Sequence, residues 1–539
     1  MPDGDAPSED PAISSDTTAE RQPGAVRSSL ARNILSNWLV TAVAIPYSLF
    51  ITPVVVRTLG RDMYGVWAFL NGLVAYSDLL YLGLGSALIR YVAQARAHDD
   101  LGRINRLASV VMSIFTVLGL ACFGLLLALA PFVPNAFAHD LNSDAARQAS
   151  LTCMLLGVQL LCVFPASGFS GVLMGHDRFD LVNLGRLIVF AVRAALIVFV
   201  VRGPDALLRL AAFMAVTAIV ELALLALLAY RVAPRLRLRP SRPNSGELQM
   251  LYGFGLQSFL VVFAVRLISY TDTTVIGVML GTASVALYAL PSQLVDYSRS
   301  ALGSFASVFL PRLAIMSANG DLASLRVAFL QNTRIAAGLA AFLLTNLSFL
   351  ATPFLSLWVG PEFATDVQWV VVSLAGATLL HVFITIVPLP FYQAMHLLAF
   401  PARVLMVEAG ANLILSIVFA RWIGLNGVAL ATILPTFFVS FLIVPRYLCR
   451  ALALPVRRLL TESVLPAMLL GFAVAATHLL FEQRLPVSSY ATLLARGALT
   501  LPAAVATALV LLSRAERDGL LVLIKQANRR VRVGGSAPS

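Results

Sequence analysis

Long apolar runs separated by short polar segments make up nearly the whole chain. An α-helix rises about 1.5 Å per residue, so a membrane span needs about 20 apolar residues. Fourteen runs approach or exceed that length, at residues 36–56, 66–92, 108–130, 150–174, 184–201, 210–229, 253–280, 286–311, 332–358, 369–395, 404–423, 427–448, 464–481 and 491–512. This pattern predicts an all-α integral membrane protein of about 14 transmembrane helices. The runs at 184–201 and 464–481 are the shortest.

Polar and turn residues recur at a constant offset of 221 positions, which indicates an internal duplication. Leu59-Gly60 matches Leu280-Gly281, Tyr76-Ser77 matches Tyr297-Ser298, and Asp100-Leu101 matches Asp321-Leu322. Shared hydrophobicity alone would not align such residues. Six spans per half is an even number, so both halves enter the membrane from the same side. We therefore expect two parallel six-helix lobes in a pseudo-two-fold arrangement, followed by two C-terminal helices.

The domain boundaries follow from the spans and from the polar segments between them. We expect a disordered, acidic cytoplasmic tail at 1–35, an N-lobe at 36–229, a basic linker at 230–252, a C-lobe at 253–448, two further spans within 449–512, and a basic cytoplasmic tail at 513–539.

Composition and charge agree with this class. Of the 539 residues, 59% are hydrophobic and 12% are charged, about half the charged fraction of a soluble domain. The net charge is +12, and the arginines concentrate in the segments after the second, sixth and twelfth spans. Because basic residues are retained on the cytoplasmic side, both termini should be cytoplasmic. The charge should serve topology and contact with anionic lipid rather than nucleic acid.

Several enzyme classes are disfavoured by missing motifs. Lys525 is the only lysine and Gln526 follows it, so the chain has no Walker A motif. It has neither His-Glu-x-x-His nor Gly-x-Ser-x-Gly, and its outer loops are too short to carry the catalytic groups of a glycan polymerase or ligase. The four cysteines have no metal-ligand spacing. We predict no catalytic activity, no metal and no cofactor.

Charged residues inside the spans are the candidates for function. A charge at the bilayer centre costs at least about 2.5–3.5 kcal/mol, so it normally faces a cavity or a partner. We predict a cationic cavity that receives an anionic headgroup, because the planar guanidinium fork suits phosphate. Its candidate binding residues are Arg266, Arg299, Arg193, Tyr270, Tyr297 and Gln293. The alternative is that the arginines only tie helices together through acidic residues.

The acidic residues within the spans are candidates for coupling and gating: Asp78, Asp272, Asp296 and Glu221. Asp78 and Arg299 are equivalent under the 221-residue offset, so we expect them to face each other and to form a pair that opens and closes with transport. A static structural pairing, or separate partners, is the alternative. Asp272 and Glu221 are candidate proton or cation sites, Glu408 is a weaker one, and His381 is expected to be a packing residue.

Three motifs resemble those of bacterial polysaccharide transporters. They are Leu59-Gly60-x-x-x-Tyr64-Gly65-Val66-Trp67, Tyr81-Leu-Gly-Leu-Gly-Ser-Ala-Leu-Ile-Arg90-Tyr91, and Gly171-Val-Leu-Met-Gly175-His-Asp-Arg178-Phe179-Asp180. The resemblance covers about residues 33–450. It is to the O-antigen and capsule flippases of the multidrug/oligosaccharidyl-lipid/polysaccharide exporter superfamily.

The resemblance implies a function in the bacterial inner membrane. Members of this family move undecaprenyl-pyrophosphate-linked oligosaccharide, the repeat unit of O-antigen, capsule or exopolysaccharide, from the cytoplasmic to the periplasmic leaflet by alternating access. Implied partners are the lipid-linked glycan, the bilayer, H⁺ or Na⁺ as coupling ion, and glycan polymerase or assembly proteins. The arginines are not matched to family positions residue by residue. A lipid II flippase and a cation-coupled multidrug extruder of the same superfamily remain alternatives.

Overall fold

The computed structural model describes residues 23–81, 83–137, 141–253, 256–364 and 367–511, and within these ranges every regular element is a helix. The first half contains α1 (Pro23–Ala75), a 3₁₀ turn (Tyr76–Tyr81), α2 (Leu84–Ala97), α3 (Leu101–Leu129), a 3₁₀ turn (Ala130–Phe132), α4 (Val133–Ala136), α5 (Ser143–Gly175), α6 (Phe179–Val200) and α7 (Ala206–Val232). Helix α8 (Ser245–Gly253) follows in the linker.

The second half has the same plan, with more breaks in its helices. It contains α9 (Leu256–Leu280), α10 (Thr282–Ser307), α11 (Leu310–Ala318), α12 (Leu322–Trp358), a 3₁₀ turn (Pro361–Phe363), α13 (Gln368–His381), a π-helical segment (Val382–Ile386), α14 (Pro388–Ala394), α15 (Ala399–Ile423), α16 (Leu425–Pro435), a π-helical segment (Thr436–Phe441) and α17 (Val444–Ala451). The C-terminal part contains α18 (Val456–Leu459), a π-helical segment (Leu460–Val464), α19 (Leu465–Phe481), α20 (Tyr490–Ala498) and α21 (Thr500–Leu511).

The prediction of a multi-span helical membrane protein is confirmed, and the span count differs at two places. Among the described residues, twelve helices are long and apolar enough to cross a membrane. The first of them, Ala42–Ala97, contains two of the predicted spans. The predicted last span is divided into α20 and α21, because Pro502 has no N–H to donate to the carbonyl of Ala498.

The predicted termini fall partly outside the described residues. Helix α1 begins at Pro23, so residues 23–35 of the predicted tail are helical, while the boundary at residue 35 stays a prediction. Residues 1–22 and 512–539 lie outside the described residues, and so does the predicted basic tail.

The duplicated segments share backbone conformation at matching positions. Gly60 (φ 71, ψ 179) interrupts α1, and Gly281 (φ 85, ψ 173) separates α9 from α10. Both conformations have a positive φ, which disfavours any side chain. Asp100 caps α3 by accepting the Arg103 N–H at 2.8 Å, and Asp321 caps α12 by accepting the Ser324 N–H at 3.0 Å. The repeat therefore extends to local geometry, while the residue boundaries of the two lobes stay predictions.

Close backbone contact joins the two halves around the second part of α1. A Cβ on Gly65 would lie 1.9 Å from the Thr282 carbonyl oxygen, and a Cβ on Gly277 would lie 2.2 Å from the Phe69 ring. Trp358 at the end of α12 donates its indole N–H to the Leu49 carbonyl at 2.8 Å. Small residues allow this approach, as is usual between membrane helices. The α1 helix of the first half is thus held against the second half.

The linker between the halves is fastened to α3 by side chains spaced four residues apart. Asn105 bonds the backbone of Arg235 and Arg237, Ser109 bonds that of Arg237 and Arg239, and Ser113 accepts the N–H of Ser241. The linker's own side chains take no part in these five bonds.

A salt bridge completes this attachment at the start of α8. Arg106 donates to both carboxylate oxygens of Glu247, at 2.7 and 3.0 Å. This contact, followed by the Asn244 N–H, holds the pKa of Glu247 below its usual value. The linker is therefore bound to the first half through both hydrogen bonds and charge.

Candidate functional site

The first candidate arginine lies in a polar seam between the two halves. This seam consists of the ion pairs Arg266–Asp78 and Arg299–Asp296. Arg266 on α9 is 3.7 Å from the Asp78 carboxylate, in the 3₁₀ turn that follows α1, and it donates to the Tyr270 hydroxyl at 2.8 Å. Tyr270 meets the Tyr76 ring edge-on at 5.8 Å, and Tyr76 shares a 3.1 Å hydrogen bond with Thr274. The side chains of Arg266 and Asp78 are each 45% exposed. This cation is therefore partly exposed, and a long ion pair to Asp78 and a hydrogen bond to Tyr270 hold it in place.

The second arginine lies on the neighbouring helix, α10. The Arg299 guanidinium is 3.3 Å from Asp296 and donates to the hydroxyls of Ser269 and Thr378 at 3.4 and 3.2 Å. Its buried Nε has no hydrogen-bond partner among the described residues. Ser269 lies one turn after Arg266 on α9, so this bond brings Arg299 near Arg266. Asp296 also interacts electrostatically with Arg266.

The expected Asp78–Arg299 pair is not formed in this conformation, and a pair that opens and closes with transport stays a prediction. Asp78 pairs with Arg266, and Arg299 pairs with Asp296 one helical turn away on its own helix. Equivalence under the repeat places two residues at similar positions of their halves, but it does not make them neighbours. The separate-partner alternative describes this state.

Gln293 and Tyr297, predicted to bind substrate, join α10 to α1. Gln293 donates to Ser48 at 2.8 Å and to Thr52 at 3.1 Å, and Tyr297 donates to Ser48 at 2.6 Å. These neutral bonds link the two halves beside the arginine seam. Both residues are only partly buried.

Arg193 belongs to a different group of contacts, on α6. It donates to Thr217 at 2.9 Å and interacts with Tyr47 of α1. Tyr47 is stacked on Phe190 at 4.7 Å. The structure therefore does not bring Arg193 into contact with Arg266 or Arg299. Glu221 on α7 has no ion pair or hydrogen bond within the described part of the chain.

Asp272 is fully enclosed in the second half and is not an arginine partner. Its carboxylate is 2% exposed and accepts bonds from Tyr288 at 2.7 Å, Ser416 at 2.8 Å and Thr432 at 2.6 Å. The Oδ1 atom of neighbouring Asn412 is buried and receives no hydrogen bond. A small cavity of about 40 Å³ lies between Asp272 and Arg299. The site is therefore a pocket of oxygen atoms beside the cationic seam.

Glu408 has a second enclosed site that sequence reasoning underestimated. It accepts bonds from Thr436 and Ser440, and its Oε1 lies 3.5 Å from Nε2 of His381. His381 is thus a close neighbour of the Glu408 carboxyl group as well as a packing residue. A signal was present in the sequence: Glu408, Asn412 and Ser416 repeat every four residues, as do Thr432, Thr436 and Ser440 in the next span. Two such stripes on consecutive helices can face each other.

The arrangement separates two kinds of chemistry. Partly exposed guanidinium groups at the seam can bind an anion, and enclosed carboxylates with hydroxyl neighbours can bind a small cation or a proton. The described residues contain no cluster of three or more His, Cys, Asp or Glu side chains that could hold a metal ion.

Comparison with known proteins identifies the family and the fold. A family model described as "Polysaccharide biosynthesis protein" matches residues 30–317. The uncharacterized membrane protein EpsK of Bacillus subtilis (strain 168) is 23% identical over 436 residues, which cover 78% of this chain and 83% of EpsK. The lipid II flippase MurJ, in an inward closed conformation, has a TM-score of 0.65 at 13% identity, covering 89% of this chain and 98% of MurJ.

A second solved structure has the same fold. It is an inward-facing multidrug resistance transporter of the MATE family in the MOP superfamily, with a TM-score of 0.66 at 13% identity, covering 76% of this chain and 94% of that transporter. The resemblance to polysaccharide transporters read from the motifs is thereby confirmed. The chain belongs to the polysaccharide biosynthesis protein family and has the fold of the MOP-superfamily transporters.

Proposed function

We propose that this protein is a flippase for undecaprenyl-pyrophosphate-linked oligosaccharide, the repeat unit of O-antigen, capsule or exopolysaccharide. It would carry this lipid from the cytoplasmic to the periplasmic leaflet of the bacterial inner membrane. Family membership supports a role in polysaccharide biosynthesis, and the shared fold supports alternating access. The arginine distribution supports cytoplasmic termini.

The observation that carries this proposal is the exposure of charge at the seam. Arg266 is 45% exposed and Arg299 is 30% exposed, on adjacent helices in membrane-spanning sequence. Because charged groups are unfavourable against hydrocarbon, the seam should face a water-filled opening.

The loose ion pairs suit exchange with a phosphorylated cargo. Asp78 and Asp296 lie 3.7 and 3.3 Å from their arginines, and both carboxylates are about half exposed. Exposed pairs contribute only about 0–1 kcal/mol. A pyrophosphate has more acceptor oxygens and matches the guanidinium fork, so it can displace the carboxylates. The lipid tail would remain in the bilayer while the headgroup crosses.

Asp272 is our candidate residue for binding the coupling ion. Its carboxylate and the hydroxyls of Ser416 and Thr432 meet in one enclosed pocket, and Asn412 contacts it by donating from Nδ2 to Thr432. Oxygen ligands of this kind suit a hard cation such as Na⁺, and H⁺ is the alternative. The 40 Å³ cavity places this pocket next to Arg299. Ion binding there can alter the field at the cargo site.

A lipid II flippase is the second candidate, favoured by the fold shared with MurJ. A multidrug extruder for cationic compounds fits the exposed arginines less well, because like charges repel. Glycan polymerase and assembly proteins stay predicted partners.

Leaflet-resolved measurement of lipid-linked glycan in a deletion strain tests the proposal. Without the protein, glycan-linked lipid should accumulate in the cytoplasmic leaflet. Wild-type protein should restore transfer, whereas Arg266→Ala and Arg299→Ala should restore little. Arg202→Ala is the matched control, because Arg202 contacts Phe199 and the Val198 carbonyl, away from the seam.

Normal glycan distribution together with drug sensitivity would favour an extruder. Accumulation of lipid II alone would favour the second candidate. Full rescue by both seam variants would contradict the cationic route.

A further inference from the structure

Glu408 and His381 form a buried titratable pair that the proposed transport route does not use. Glu408 on α15 has no exposed surface, and His381, the last residue of α13, is 6% exposed. The Nε2 atom of His381 lies 3.5 Å from Glu408 Oε1. Ser440 donates to the other carboxylate oxygen. Two ionisable groups this buried must either form a charged pair or be neutral, because an unpaired buried charge is costly.

Burial assigns a proton to this pair. The Thr436 hydroxyl donates to Glu408 Oε1 at 2.7 Å and shares its hydrogen with the carbonyl oxygen of Thr432 at 2.8 Å. These hydrogen bonds are compatible with either state of Glu408. An ionised carboxylate with no exposed surface is costly, so the pair holds one proton, on the Glu408 oxygen that faces His381 Nε2.

The contacts of Thr385 indicate the tautomer of His381. Thr385 lies 3.4 Å from the His381 carbonyl oxygen and 3.3 Å from His381 Nδ1. If Thr385 donates its hydrogen to that carbonyl, it accepts from Nδ1–H. The Nε2 atom of the neutral ring is then an acceptor that faces Glu408. Both threonines therefore fit one neutral arrangement, in which the proton lies on Glu408 beside an imidazole able to take it.

The surrounding charges come from two other helices. Arg299 on α10 interacts electrostatically with both Glu408 and His381. Asp272 on α9 connects to the pair through Thr432, which bonds Asp272 and offers its carbonyl to Thr436. The π-helical segment Thr436–Phe441 contributes hydroxyls to the pair. A change in protonation here is thus connected to both the arginine seam and the Asp272 pocket.

Two irregular helices meet at this pair. Val382–Ile386 is π-helical and begins directly after His381, and Thr436–Phe441 is π-helical and contains Thr436 and Ser440. Prolines adjoin them, with Pro388 after the first segment and Pro435 before the second. Single π-helical turns occur frequently at functional sites, and helices bend at them. The pair is therefore held by backbone that can change geometry.

We propose that Glu408 and His381 constitute a proton-binding site, separate from Asp272, which holds one proton on Glu408 in this conformation. On release, the proton passes from Glu408 Oε1 to His381 Nε2, which leaves a carboxylate and an imidazolium; the imidazolium then loses it to water. No electrons are transferred. As a second coupling element this site rests on the proposed flippase function, but its existence can be tested without cargo.

Infrared difference spectroscopy of the purified full-length protein in lipid nanodiscs tests this site directly. A protonated carboxyl group has a C=O stretch that a carboxylate lacks. Wild-type protein should show this band between about pH 5 and about pH 8, above the ordinary glutamate pKa of about 4.3. Glu408→Gln should lose it, and Asp272→Asn, which removes the other enclosed carboxylate, should keep it.

Two further variants distinguish loss of the proton-binding site from loss of the folded structure. Glu408→Asp retains a carboxyl group and should keep a shifted band, while His381→Gln should move the pH at which the band titrates. Absence of the band in wild type, or its persistence in Glu408→Gln, would overturn the site. The measurement needs no lipid-linked glycan, so its failure leaves the flippase proposal standing, and a failed leaflet assay leaves this result intact.

Discussion

Replacing Asp78 with Asn should strengthen the binding of a pyrophosphate group at the seam. Asp78 competes with the cargo for Arg266, because both are anions that contact the same guanidinium. The substitution removes the competing charge, keeps nearly the same shape, and leaves Arg266 with its hydrogen bond to Tyr270. It changes no contact of Arg299.

The size of the effect follows from distance and exposure. Two unit charges 3.7 Å apart attract by about 4–5 kcal/mol at an effective dielectric constant of about 20. Both side chains are 45% exposed, and pairs this exposed contribute about 0.2–1 kcal/mol when measured. The smaller value governs because water and side-chain entropy offset most of the attraction. A gain of up to about 1 kcal/mol corresponds to about a fivefold lower Kd.

Isothermal titration with farnesyl pyrophosphate, at about 0.15 M salt in detergent, measures this change. Arg266→Ala should weaken binding, and Asp78→Asn should tighten it by up to about fivefold. Asp180→Asn is the matched control, since it breaks a 3.1 Å pair with Arg178 outside the seam. Weaker or unchanged binding in a folded Asp78→Asn protein, with Asp180→Asn also unchanged, would refute the competition argument.

Two further predictions concern stability. Gly65→Ala should lower the free energy of unfolding by about 1–3 kcal/mol, because the new methyl group would lie 1.9 Å from the Thr282 carbonyl oxygen. Thermal unfolding measures this, and Gly85→Ala, which would have no atom within 4 Å of its Cβ, is the control. Equal stability of the two variants would contradict the close packing at Gly65. Arg106 lowers the folded-state pKa of Glu247. The Arg106–Glu247 salt bridge therefore contributes fully to linker attachment above the unfolded glutamate pKa of about 4.3. This contribution is lost as the pH falls through the lower pKa of the folded state. The hydrogen-exchange protection factors of residues 235–241, corrected for the intrinsic pH dependence of amide exchange, should therefore fall on acidification in wild type and depend less on pH in Glu247→Gln.

The sequence predicted features that depend on local pattern. Apolar length located the helices, and the 221-residue offset located glycines whose matching positive φ values appear at Gly60 and Gly281. The charged spans were also informative, because Arg266 and Arg299 do lie near one another on α9 and α10.

The pairing of side chains could not be predicted in the same way. Asp78 selects Arg266 rather than Arg299 because the 3₁₀ turn Tyr76–Tyr81 places it against α9, and no linear pattern encodes that contact. The Asp272 pocket draws neutral hydroxyls from helices far apart in sequence, whereas the hydroxyls beside Glu408 come from the next helix along the chain. Serine and threonine are common in membrane spans, so their partners emerge only when the helices are assembled.

The attachment of the linker to α3 should constrain the number of residues in the linker but not which residues they are. Asn105, Ser109 and Ser113 bond linker backbone atoms at alternate positions, from Arg235 to Ser241. Most substitutions in the linker leave these bonds available, whereas inserting or deleting one residue would misalign every later bond. Related chains should therefore vary in linker composition but rarely in its number of residues. Its arginines would remain free to adapt to the lipids of each host.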